Sequence, residues 1–301
     1  MALQGKAIKS KIKAVGNIKK ITKTMQMVAA SKMRRAVEAS LSSRDYALGA
    51  LEILVNLSEK RNVEHPMLTR RVSGKTLCII IASNKGLCGG YNVNVSRRVS
   101  EYVKSNPTEI IECVTVGKQA EKIAKRNNLV IVASFTEIKD FARIEDASQL
   151  VYVMKDLFMK DESYQKVFVA YTQFLKPLTY EAKIKPLLPI QPESLYLMLM
   201  GESLTHEKKE ALRESKKLYT FEPSEEQVME SVIPELLTGV MYQVFLDAYA
   251  SEHSSRMVAM QNATENAGEL QESLKLSFNK ARQAGITQEI AEISAGANAL
   301  G

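Results

Sequence analysis

Apolar residues recur at helical intervals toward both ends of the chain. Near the start, Ile8, Ile12, Val15, Ile18, Ile21, Met25 and Val28 follow one another by three or four positions, with lysines between them. So narrow a stripe is the seam of a coiled coil; a helix lying on a globular core shows a wider apolar face. Val37, Leu41, Leu48, Leu51 and Leu54 continue it. Toward the other end, Leu270, Leu274, Ile290, Ile293, Ala297 and Leu300 keep the same period. All eight prolines fall between Pro66 and Pro234. A proline inside a helix removes a hydrogen bond and clashes with the preceding turn, at about 3 kcal/mol, so tracts without one are free to be long helices. The spacing predicts one helix over 1–57 and another over 224–301. Rods of roughly 80 and 100 Å at 1.5 Å per residue exceed the diameter of a domain and need something to lie along. Each is the other's natural mate, and a middle segment joining their ends makes the pair antiparallel.

Between the two tracts the period changes. Residues 76–82 (TLCIIIA) are a continuous apolar run, the pattern of a strand covered on both faces. Further strands are predicted at 110–116, 129–133, 166–174 and 180–188, with helices over 91–104, 118–127 and 145–160. This alternation predicts a mostly parallel sheet with crossover helices. The expected fold class is therefore α and α/β. It consists of an antiparallel two-helix coiled coil formed by the chain termini plus a central Rossmann-like α/β domain over 70–191. Residues 192–223 read as an irregular connection or insert.

Charge is unevenly distributed. Residues 1–44 carry eight lysines and three arginines against Glu38 alone, whereas residues 235–301 carry four basic and eight acidic side chains. Opposite signs favour pairing of the two tracts and leave positive charge for an acidic partner. A basic coiled coil that binds nucleic acid is the alternative reading, but residues 1–44 contain no aromatic side chain to stack on bases. Cys78, Cys88 and Cys113 form no Cys-x-x-Cys pair, and His65, His206 and His253 are scattered. Buried free thiols and no metal site are expected. No run of 18 apolar residues is present to span a membrane, and the chain runs directly into charged helix, which predicts cytoplasmic residence. Lys85-Gly86-Leu87-Cys88-Gly89-Gly90 follows a predicted strand, where phosphates can bind. It fits neither the P-loop nor the dinucleotide fingerprint, and no acid–base pair or nucleophile accompanies it, so no catalytic residue and no cofactor are expected.

Four segments carry a family resemblance. Residues 20–36 (KITKTMQMVAASKMRRA), 251–269 (SEHSSRMVAMQNATENAGE), 279–300 (NKARQAGITQEIAEISAGANAL) and 83–92 (SNKGLCGGYN) resemble the gamma subunits of F-type rotary ATP synthases. The resemblance implies a non-catalytic rotor. Its paired terminal helices would form an asymmetric rod inside a ring of three alpha and three beta subunits, in a 3:3:1 assembly with this chain. The central domain would rest against the epsilon subunit and the membrane c-ring, whose ion-driven rotation the chain passes to the beta sites. It further implies no nucleic-acid partner, membrane contact only through the c-ring, and a peripheral position on the cytoplasmic face of a bacterial cell membrane. Met25, Arg34, Arg35, Arg256, Arg282, Gln283, Thr287 and Glu289 lie in the matching segments and are the expected contacts with the alpha/beta hexamer. Ile290, Ile293, Ala297 and Leu300 are the expected bearing, where low polarity suits rotation because directional hydrogen bonds would hold the helix in place.

Overall fold

A computed structural model describes residues 2–60, 64–137, 143–160, 163–200 and 220–300. The chain divides into two compact units, Met1–Ala29 with Arg256–Gly301, and Ala30–Ser255. Helix α1, Ala2–Val55, closes in a π-helical turn over Asn56–Lys60, and the last helix, α6, runs over Glu225–Leu300.

The first unit is a pair of antiparallel helices. A Cβ on Gly16 would meet the Gln271 amide at 3.1 Å, and one on Gly268 would meet the Lys19 ammonium at 3.0 Å. The Thr264 hydroxyl donates to Thr22 Oγ1 at 2.8 Å. Numbers rise along α1 as they fall along α6. The seam differs from the expected one. Ile8, Ile12 and Val15 are half-buried, but Ile18, Ile21 and Val28 are 52%, 59% and 49% exposed, while Thr22 and Ala29 are buried. The alternation of three- and four-residue steps from Ile8 passes through Lys19, Thr22, Gln26 and Ala29, not through the apolar residues beside them. Heptad position decides which side chains face the partner helix, and small side chains there let two backbones approach.

In the second unit α1 keeps the same stepping, burying Met33, Ala36, Ser40, Ala47, Leu51 and Leu54. It again runs antiparallel to α6. The Ser43 hydroxyl donates to Gln243 Oε1 at 3.3 Å, the Gln243 amide donates to Ser40 Oγ, and a Cβ on Gly239 would lie 3.1 Å from that of Ala47. Between these helices in the chain come five strands: β1 (Lys75–Ile81), β2 (Ile111–Val116), β3 (Val130–Phe135), β4 (Tyr164–Lys176) and β5 (Thr179–Leu188). They form one sheet in the order β3-β2-β1-β4-β5, parallel except for the β4–β5 hairpin. The crossovers are α2 (Tyr91–Ser105), α3 (Lys118–Arg126) and α4 (Ile144–Lys160).

Two apolar clusters cover the two faces of the sheet. On one, Val95, Val99, Ala120 and Ala124 of α2 and α3 pack on Cys78, Ile80 and Cys113. On the other, Ile79, Val169 and Tyr171 meet Met154 and Phe158 of α4, Leu51 and Leu54 of α1, and Leu237, Met241 and Phe245 of α6. Alternate residues of β1 thus serve opposite faces, which is why its whole run is apolar. Gly117, with φ of 92°, ends β2 where a Cβ would stand 2.1 Å from the Ala82 carbonyl oxygen, an approach open only to glycine.

One detail departs from expectation. Part of the stretch read as irregular is helix α5, Pro192–Met200; proline suits its first position, and Leu195, Met198 and Leu199 are buried. Of the rest of that stretch, residues 220–223 are irregular as expected, and residues 201–219 lie outside the described residues. Pro234 sits inside α6, within the helix expected over 224–301. Ile233, Leu236 and Leu237 beside it are fully buried, enough apolar area to outweigh a proline cost of about 3 kcal/mol. All three cysteines are buried and lie outside any disulfide. Cys78 and Cys113 are paired in register, and burial pushes each up to about 12, which keeps them as thiols.

Candidate partner-binding surfaces

In an open parallel sheet, ligands bind beyond the carboxyl ends of the strands, where the strand order reverses. Here that place lies beyond β1, between β2 and β4, and α6 fills it. The Ser255 hydroxyl donates to the Cys88 carbonyl at 2.6 Å, fastening the glycine-rich turn to the helix. The Tyr180 hydroxyl donates to Ser255 Oγ at 2.9 Å, and the Leu178 amide to Ser254 Oγ at 3.2 Å, so the β4–β5 turn is held by the same two serines. Below the turn, Asn92 Nδ2 donates to Ser83 Oγ at 2.8 Å, and the Lys118 amide donates to Asn84 Oδ1 at 3.0 Å. A cavity of about 20 Å³ remains among Ile81, Gly117, Phe245 and Tyr249, room for a water molecule but not for a nucleotide. Sequence pattern alone does not reveal this clamp. Its only trace was the adjacency of two serines within a helical, otherwise mixed stretch.

A second buried contact ties α6 to α1 and β4. Asp247 is 8% exposed, and burial pushes its carboxyl up to about 8 against the opposing pull of the Arg44 guanidinium and a hydrogen bond from the Phe174 backbone. Arg44 Nε is itself buried without a hydrogen-bond partner among the described residues. Burial, with Asp247 close by, also pushes the Tyr171 hydroxyl upward.

The expected contact residues fall in different environments. Met25 is half-buried in the first unit, Arg34 and Arg35 are exposed in the second, and Arg256 is 9% exposed. Arg282, Gln283, Thr287 and Glu289 are all exposed on the last part of α6. There the Thr287 hydroxyl is turned back onto the Gln283 carbonyl at 3.0 Å. Carried on at the register of the first unit, the start of α1 lies opposite the turn around Gly285. Among the described residues, those of α6 beyond it face no second helix. Ile290 and Ile293 on that extension are 59% and 72% exposed. Ala297 and Leu300 belong to the same helix, and their side chains lie outside the described residues. Among the described residues no cluster of His, Cys, Asp and Glu suits a metal ion, and no helix is long and apolar enough to cross a membrane.

A mixed, mostly parallel sheet in an α/β domain with long first and last helices is the fold of rotary-motor central stalks. The central-stalk and c-ring structure of the Tetrahymena thermophila mitochondrial ATP synthase contains a chain that matches with a TM-score of 0.58 at 25% identity, over 81% of this chain and 99% of that one. The Euglena gracilis mitochondrial enzyme, solved as OSCP/F1/c-ring, has one at 0.66 and 18% identity, over 100% and 95%.

A family model described as ATP synthase matches residues 4–300. Gamma chains of ATP synthase from Roseiflexus castenholzii and Synechocystis sp. are 37% and 34% identical over 298 and 311 residues, covering 97% or more of each chain. The chain belongs to the family of ATP synthase gamma chains.

Proposed function

We propose that this chain is the rotor of an F-type synthase, carrying torque between an ion-driven c-ring and an alpha/beta hexamer, and that it performs no bond chemistry itself. Support for the absence of chemistry comes from α6, which occupies the ligand position of the sheet, and from the 20 Å³ left there. The observation that carries the rotor reading is the inequality of the paired helices, 54 residues against 76, with α6 continuing past the start of α1. Three chemically identical catalytic sites are made unequal only by an object that contacts them unequally, because uniform contact shifts no equilibrium. Inverting a 1:99 population takes about 5.5 kcal/mol of differential interaction.

In this reading the exposed Arg282, Gln283, Thr287 and Glu289 meet the hexamer through hydrogen bonds and charge, and Ile290 and Ile293 turn within an apolar collar. Ala297 and Leu300 extend that collar contact. Met25, Arg34 and Arg35 serve from α1. Arg256, being buried, acts by holding its helix in place more than by reaching outward. The epsilon subunit and c-ring contact the second unit, and the assembly sits at the cytoplasmic face of a bacterial membrane. Mixing the chain with purified alpha and beta subunits tests this. The expected result is a 3:3:1 complex whose ATP hydrolysis requires this chain, which alone hydrolyses nothing. Hydrolysis by the isolated chain, or no co-assembly, contradicts it.

A further inference from the structure

On the sheet face opposite α6, helices α2 and α3 leave a groove of about 340 Å³ between them. Arg97 from α2 and Lys122 and Arg126 from α3 line it, and no carboxylate does. Steps of three and four residues put the lining side chains of each helix on one face. All three cations are exposed, and among the described residues none of them has an ion-pair partner. The neighbouring Arg98 differs, facing Glu101 at 3.3 Å and Glu181 at 3.6 Å. Three like charges gathered on rigid helices repel one another, a cost that a bound anion removes.

The rest of the lining fits an anion too. Ser96 and Gln119 supply a hydroxyl and an amide, Asn92 and Ser100 line the groove with polar groups that already donate to Ser83 and Asn127, and buried Ile123 adds an apolar side chain. Both helices follow parallel strands, so their positive N-terminal ends lie at the same end of the groove. No aromatic ring is present to stack on a nucleobase, which leaves charge and hydrogen bonding as the means of recognition.

We propose that this groove binds a small oligophosphate anion of the size of pyrophosphate, with Arg97 and Arg126 as forked donors and Lys122 as a further point charge. The site stands apart from the torque reading and needs no assembled motor. Its upper end reaches Asn92, whose amide bonds Ser83 beneath the glycine-rich turn. An occupant is thus joined to the turn that Ser255 fastens.

Calorimetric titration of the full chain with pyrophosphate tests the site, at low and at moderate salt. Arg97→Gln with Arg126→Gln removes two donors from exposed positions. Lys104→Gln with Lys125→Gln removes the same charge from the same helices outside the groove. The expected result is saturable one-to-one binding that the first variant weakens by about tenfold or more, as loss of two charge-assisted contacts implies, and that the second leaves within about twofold. Absence of saturable binding to the unaltered chain overturns the proposal. So does equal weakening by both variants, which marks diffuse charge attraction, and so does binding of an acidic peptide where pyrophosphate fails.

Discussion

Asp247 illustrates how much one buried side chain does in this molecule. Its carboxyl ionises near 8 in the fold against an ordinary 3.8. The unfolded chain therefore gives up this proton first, and stability falls as pH rises through the window between those values. Asp247→Asn keeps the shape and removes the linkage. Thermal unfolding of the unaltered protein should lose ground to the variant as pH is raised from about 5 to about 8; parallel melting curves would contradict the assignment. Ser255 is the second such residue, since its hydroxyl donates to Cys88 and accepts from Tyr180. Ser255→Ala leaves the Cys88 carbonyl without that donor, and denaturant unfolding should register a loss of about 1–3 kcal/mol.

At the scale of elements, the pairing of α1 with α6 rests on heptad position and small side chains. Ala47 faces Gly239 with no spare room, so Ala47→Leu should cost about 1–3 kcal/mol by overpacking. Ile21→Ala, at a site 59% exposed, should leave the melting temperature nearly unchanged. A larger loss from Ile21→Ala than from Ala47→Leu would restore the seam first expected. The same contrast explains what was legible in the sequence. Strands β1 to β5 and helices α2 to α4 were readable because burial on one or two faces writes period 2, period 3.6 or a continuous run. The seam between 18 and 28 was not, because apolar identity pointed one position away from the true heptad sites, which Lys19 and Thr22 occupy. Helix α5 was hidden for a related reason: an all-apolar run such as LYLMLM shows no period. Of the proposed partner contacts, Arg282, Gln283, Thr287, Glu289, Ile290 and Ile293 came from resemblance alone, and all six are exposed. The serine clamp and the Asp247–Arg44 contact were not legible, since both join residues far apart in the chain that only the fold brings together.

For the molecule as a whole, what matters is that one chain supplies two unequal helices and a sheet whose ligand position is closed. Arg282 and Gln283 stand exposed where α6 runs toward its end. Replacing both by alanine should leave helix content unchanged and lower ATP hydrolysis by the alpha/beta complex several-fold, read by circular dichroism and a coupled assay. The most direct test is to fix the alpha/beta hexamer to a surface, attach a visible probe to the second unit of this chain, and supply ATP. The account predicts one-way rotation of the probe in steps of a third of a turn, one for each catalytic site. ATP hydrolysis that proceeds while the probe stays still would contradict it.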